Sequence, residues 1–214
     1  MAGVITASVP SWIEPFTRLS SRCFGKLVAS VRREQASDQQ RGRPWSLPLE
    51  DRVLLATAYW CTNLTMRQLA LLFGISKSAV DRIIDRIGPL LALRQRKQFR
   101  KETVLIVDGT LVPTADHSVA EQSKNYRYST AHQVVIDADT RLVVVVGRPL
   151  PGNRHDSRGW EESRAKAAVG ATTTIADGGY QGGWKILRDC RLKGDGVHHA
   201  MLGIARLHNL TLGG

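Results

Sequence analysis

Apolar residues in the first part of the chain return every three or four positions, the spacing of helices with one buried face. Between residues 11 and 35 they are Trp12, Ile13, Phe16, Leu19, Phe24, Leu27, Val28 and Val31, which predicts one or two short helices. The stretch SDQQRGRP (37–44) lacks that period and reads as a polar, basic loop. From Pro48 to Cys61 the helical spacing resumes through Val53, Leu54, Ala56, Thr57, Tyr59 and Trp60. It continues from Thr65 to Phe73, halts at Gly74, and runs again from Ser76 to about Leu91, with Pro89 near that end. RQRKQFRK (94–101) breaks the pattern and is expected to be a solvated basic connector.

After Glu102 the period changes. VLIVDG (104–109) is a short β-branched run, as in a buried strand. AHQVVIDADTRLVVVVG (131–147) predicts a hairpin of two Val-rich strands about a turn at Asp137–Thr140. Residues 156–169 read as a helix, and ATTTIADGG (171–179) as a further buried strand ending on glycines. In the tail, Val197, Met201, Ile204 and Leu207 share one helical face behind a Gly-Asp-Gly start. The expected architecture is therefore α+β in two parts: an all-helical region over residues 1–95 and a β-β-β-α-β-α region over residues 96–214.

The 214 residues are enough for one large domain or two small ones, and 43% hydrophobic content fits a globular protein. Lys and Arg number 30 against 19 Asp and Glu, a net charge of +11. Such an excess favours polyanionic partners, because each neutralised phosphate releases condensed counterions. Cys23, Cys61 and Cys190 match no zinc or redox spacing and are expected to be idle reduced thiols. The amino terminus lacks a signal-peptide pattern, and even the longest apolar runs, such as Leu142–Val146, are far too short for a bilayer. No membrane role and a cytoplasmic, nucleoid-associated location are expected.

LTMRQLALLFGISKSAVDRIIDRI (64–87) carries the most specific local signal, a helix-turn-helix over about residues 64–88. Thr65 and Ser76 can cap its two helices, Leu69 and Leu72 supply a buried face, Gly74 a tight turn, and Ile75 a plug in the corner. Val80, Ile83 and Ile84 turn inward in the second helix, leaving Lys77, Ser78, Asp81 and Arg82 outward near its start. In a DNA-binding helix-turn-helix those positions enter the major groove. In the rear half, Lys124, Tyr126, Arg127 and Tyr128 interleave cations with aromatics. That suits DNA backbone contact and base stacking, and equally a loop anchored by its tyrosines. The tryptophans are expected to anchor the core, and His198, His199 and His208 to face solvent.

Asp108 and Asp177 each close an apolar run and each precede glycine. On adjacent parallel strands their carboxylates would converge on one cation pair, and hard oxygen ligands suit Mg²⁺ or Mn²⁺. The helix-turn-helix, VLIVDGTLVP, VVIDADTRLVVVVGRPLPGNRHDS, IADGGYQG and the tail from Trp184 to Leu210 together resemble the insertion-sequence transposases of the DDE superfamily. The resemblance spans nearly all of residues 45–214. It implies a ribonuclease-H-like rear domain, double-stranded DNA at the element's terminal repeats as partner, a possible homo-oligomer, and two-metal cleavage and strand transfer. It also makes Asp108 and Asp177 the first two metal ligands, and gives His155 and Asp156, in the Pro-Gly-x-x-His-Asp element, a supporting role, with a turn and a helix cap as the alternative.

The family's third carboxylate, a glutamate on a helix after the second aspartate, has no counterpart in the sequence. GYQG (179–182) runs straight into Gly183 and WKILRDC, as though a segment had been lost after Gly182. The only later acids are Asp189, among arginines, and Asp195, in the Gly-Asp-Gly turn. Impaired catalysis is therefore expected, with a non-catalytic DNA-binding repressor or competitor as the alternative.

Overall fold

The computed structural model describes residues 4–35, 44–122, 127–154, 156–176 and 192–213. The chain divides into two compact units, Met1–Ala92 with Gly213–Gly214, and Leu93–Leu212.

The front unit is helical. A 3-10 turn (Pro10–Trp12) leads into α1 (Ile13–Thr17), α2 (Ser21–Gln35), α3 (Leu49–Cys61), α4 (Met66–Phe73) and α5 (Lys77–Leu91). Of the loop expected at residues 37–44, only Pro44 lies among the described residues. α3 is the core helix: Val53 to Ala58 are all buried, and α1, α2, α4 and α5 pack around it. Even its first-turn charges are enclosed. Asp51 accepts hydrogen bonds from the Ala7 N–H (2.6 Å) and the Thr6 hydroxyl (3.1 Å), and Arg52 lies 5.4 Å from the Trp45 ring centre. Burial pushes the Cys61 thiol up to about 11, so it stays protonated at neutral pH, in keeping with an idle thiol. α5 runs through Pro89, which removes one i→i−4 bond, and ends two residues later, so the interruption is confined to the last turn.

The rear unit is a six-stranded sheet among the described residues, with helices on both faces. β1 (Leu105–Pro113), β2 (Glu121–Gln122), β3 (Tyr128–Asp137), β4 (Val143–Val146) and β5 (Leu150–Pro151) precede α6 (Asp156–Glu162), α7 (Ala165–Val169), β6 (Thr174–Ala176) and α8 (Asp195–Leu212). β3 pairs antiparallel with β1 along one edge and with β4, β5 and β2 along the other. β6 returns parallel to β1 on its free side. Antiparallel neighbours followed by one parallel return form the α/β, ribonuclease-H-like arrangement expected of this half.

The hairpin turn forms as the Asp-rich sequence requires. The Asp137 carboxylate accepts from the Thr140 N–H (3.0 Å), the Asp137 N–H donates to the Leu142 carbonyl (2.9 Å), and Arg141 takes the left-handed conformation (φ 59°).

Three expectations are corrected. Residues 94–101 are more than a solvated connector: the Arg96 N–H donates to the Val144 carbonyl, the Gln95 amide to the Val146 carbonyl, and the Arg96 guanidinium pairs with Asp137 at 3.1 Å. Phe99 packs on the core as well. The helix expected over 156–169 is two helices, because the Ser163 carbonyl accepts the Arg148 N–H (2.9 Å) and Arg164 turns left-handed (φ 64°). β6 is not buried; Ile175 is 51% exposed, since β1 is its sole strand partner among the described residues.

Gly152, in the Pro-Gly-x-x-His-Asp element, has a packing reason. Its N–H donates to the Ser129 carbonyl (2.9 Å), and a Cβ there would stand 2.7 Å from that same backbone oxygen. Gly152→Ala is expected to destabilise the protein by about 1–3 kcal/mol, the usual cost of overpacking. A urea midpoint equal to that of the parent chain would show that β5 shifts away without cost.

Candidate functional site

The expectation for Asp108 was the end of a strand. It lies instead within β1, half-buried, because β3 continues to pair with β1 as far as Pro113. Among the described residues the parallel neighbour pairs with β1 as far as Val107 opposite Ala176, the residues that immediately precede Asp108 and Asp177 in the sequence. Asp177 itself lies outside the described residues, as do Lys124, Tyr126, His155 and Asp189.

Strand alternation assigns the faces. Leu105 and Val107 join Val135, Val145, Ala165 and Val169 in a core cluster against which Trp160 packs, so α6 and α7 cover that face. Asp108 points to the other face, together with its cross-strand partner Val134 and the next pair, Thr110 and His132. Glu161 and Glu162, both on α6, are therefore across the sheet from Asp108. Each already has a cation, Lys166 at 2.8 Å from Glu161 and Arg154 at 3.5 Å from Glu162.

α8 covers the Asp108 face. It packs on β4, and the Asn209 side chain bonds both the N–H and the carbonyl of Val143 at 2.8 Å. Its start is tied to the loop after β1, where the Asp116 carboxylate accepts from the Gly194 N–H (2.9 Å). Asp195 opens this helix at an exposed position. Among the described residues, no three histidine, cysteine or carboxylate side chains gather closely enough to hold a metal ion.

Between sheet and helix lie two histidines that sequence reasoning missed or misplaced. His132 is fully buried, and its Nε2 lies 3.1 Å from the Thr130 hydroxyl. Burial, reinforced by the nearby His198, pushes its imidazole down to about 3. His198 on α8 was expected to face solvent. It is half-buried instead, its Nδ1 without a partner among the described residues, and burial lowers its affinity for a proton too. His199 and His208 are also half-buried rather than exposed. One signal for His132 was available: it stands in phase with Val134 and Ile136, the inward positions of the strand.

In the front unit the helix-turn-helix forms as expected. Thr65 and Gln68 make a reciprocal capping box on α4, Gly74 ends that helix in the left-handed conformation (φ 66°), and the Ser76 hydroxyl accepts from the Ala79 N–H (3.2 Å). Leu69, Phe73, Val80, Ile83 and Ile84 are buried, whereas Leu72 and Ile75 are half-buried. Lys77, Ser78, Asp81 and Arg82 are exposed on one side of α5, and the Arg82 Nε lies 3.3 Å from the Ser78 carbonyl. The outward positions of the second helix are thus brought together.

The remaining candidates divide. Arg127 is exposed at the start of β3, while Tyr128 stacks on His117 with ring centres 3.9 Å apart. That contact engages one face of Tyr128 within the protein and favours the anchoring role over base stacking. Asp156 begins α6.

Comparison with known proteins places these parts in a common context. Residues 45–97 match the family described as the helix-turn-helix of DDE superfamily endonuclease, and residues 99–209 match the transposase DDE domain. The chain is 65% identical to the transposase assigned to insertion sequence element IS112 of Streptomyces albus G, with the whole of both chains covered. It is 28% identical to the transposase assigned to element IS702 of Microchaete diplosiphon, over 78% of this chain and 65% of that one. The first alignment spans 256 positions, 42 more than this chain has residues. No solved structure matches the chain.

Proposed function

The chain belongs to the insertion-sequence transposases of the DDE superfamily, and from that premise we propose that it binds the terminal repeats of its element through α5 but is impaired in cutting them. DNA binding and transposition are what its two matched parts serve in common. Lys77, Ser78, Asp81 and Arg82 are the base- and phosphate-contacting residues. The observation that carries this is their exposure together on the first turns of a capped helix, where free backbone amides also favour phosphate.

In the rear unit Asp108 and Asp177 are the metal ligands, and of the divalent ions such domains use, Mg²⁺ or Mn²⁺ suits all-oxygen ligands. Bound there, a pair of such ions supplies activation of the attacking oxygen and stabilisation of the leaving one. The described residues do not complete a ligand set for that pair, and the sequence holds no glutamate after Asp177. The surplus of alignment positions over residues supports an internal loss, which the sequence puts after Gly182. Arg127 and Lys124, and His155 and Asp156, are supporting residues for backbone contact and for the site respectively. A chain that holds element ends without cutting them competes with intact copies, alone or as a homo-oligomer.

The test of binding is titration of a duplex bearing one terminal sequence against an unrelated duplex. The Lys77→Ala, Arg82→Ala double variant is expected to lose the preference for the terminal sequence, each well-placed side chain being worth about 1–3 kcal/mol of discrimination. Equal affinity of the parent chain for both duplexes would count against the reading.

A further inference from the structure

We infer that α2 is a second contact surface for duplex DNA, gripping the phosphate backbone beside the groove that α5 enters; the inference rests on the DNA-binding reading above. α2 lies wholly outside the residues that match the helix-turn-helix family, which begin at Trp45.

Its inward side is apolar and buried, with Cys23, Phe24, Leu27, Val28 and Val31 facing the helices it packs on. Its outward side carries Arg22, Lys26, Ala29 and Arg33, all exposed. At 100° per residue these four fall within a sector of about 60°, and the 1.5 Å rise spreads them over about 16 Å. Arg32, just off the stripe, is paired with Glu50. Arg22, Lys26 and Arg33 have no acidic partner among the described residues. A row of cations left uncompensated in this way is complementary to a row of phosphates.

Gly25 adds an independent observation. Glycine in a helix interior costs about 0.5–1 kcal/mol relative to alanine. Here nothing lies within 4 Å of where its Cβ would be, so packing within the protein does not call for a glycine. With Ala29 it leaves the helix surface between the cations nearly flat, which is what close approach of a sugar-phosphate backbone requires.

The position of α2 fits the same partner. α2 packs directly against α5, and packed helices lie about 8–10 Å apart. The major groove is about 12 Å wide, so a duplex seated on α5 carries its flanking phosphate strand to the neighbouring helix. Phosphate contacts of this kind set position and affinity without reading sequence.

The experiment compares the full chain with an Arg22→Gln, Lys26→Gln, Arg33→Gln triple variant, measuring affinity for a terminal-repeat duplex and for an unrelated one across a salt series. Glutamine keeps helix propensity and removes only charge. Each lost phosphate contact lowers the slope of log affinity against log salt by about 0.9. The expected result is a slope shallower by about 2 to 3 for both duplexes, with the ratio of their affinities unchanged. Gly25→Leu is expected to weaken both affinities without lowering the melting temperature. An unchanged slope in the triple variant overturns the inference and leaves α5 binding intact. Loss of binding to anionic phosphatidylserine vesicles with an unchanged DNA slope overturns it in favour of a lipid surface. Absence of salt-dependent binding by the parent chain to either duplex overturns this inference and the DNA-binding reading together.

Discussion

Given Mg²⁺ and a duplex bearing element ends, this chain is expected to leave the strands uncut under conditions where the Streptomyces albus G relative would be assayed for cleavage. Cleavage that depends on two ions needs both held in line with the attacking and leaving oxygens. Without a third carboxylate one ion would be poorly seated; for scale, removing one oxyanion-hole donor costs on the order of 10²–10³ in rate in enzymes that depend on one. No described acid replaces it: Glu161 and Glu162 are across the sheet from Asp108 and paired with cations. Asp108→Asn should therefore change little in this chain. Inserting a segment with a glutamate-bearing helix after Gly182 should restore metal-dependent cutting, and Asp108→Asn in that variant should abolish it. Robust cutting by the chain as it stands, lost on Asp108→Asn, would overturn the proposed impairment.

Acid is expected to weaken the rear unit more than its net charge alone would. His132 holds a proton in the fold only near pH 3, against about 6.5 in the unfolded chain. Between those values the unfolded state binds the extra proton, so stability rises with pH across that window. The contribution is complete above about pH 6.5 and is lost progressively as pH falls toward 3. The slope is about 1.4 kcal/mol per pH unit, or about 2 kcal/mol between pH 6.5 and 5. His198 and His208, also lowered by burial, act in the same direction. Urea midpoints from pH 7.5 to 5 would measure the fall, and His132→Asn should flatten it, even if that variant is less stable at pH 7. An identical pH slope in variant and parent would show that His132 is not what the acid acts on.

The front half was legible because its signals are local. Thr65, Gly74 and Ser76 act on backbone groups within one turn of themselves, so reading them in order predicts the helices they cap. The turn at Asp137–Thr140 was legible for the same reason. Residues 94–101 were misjudged because their partners, the carbonyls of Val144 and Val146, are some fifty positions away. The break at Arg164 was missed because the Ser163 carbonyl is taken by Arg148, on the loop after β4. Gly152 could be recognised as a turn glycine from its neighbours, but its need to clear the Ser129 backbone could not.

The candidate site shows the same division. The two Asp-Gly pairs, the helix-turn-helix and the absence of a later glutamate are properties of the sequence by itself, and they determine the family and the doubt about catalysis. Only the tertiary structure decided that Asp108 lies within β1 rather than at its end, that α6 carries Glu161 and Glu162 on the opposite face, and that His132 is enclosed between the sheet and α8, with His198 half-buried on that helix. The reason is physical. Caps, turns and helical faces follow from interactions a few residues apart, whereas strand pairing and the covering of each sheet face depend on segments brought together from across the chain.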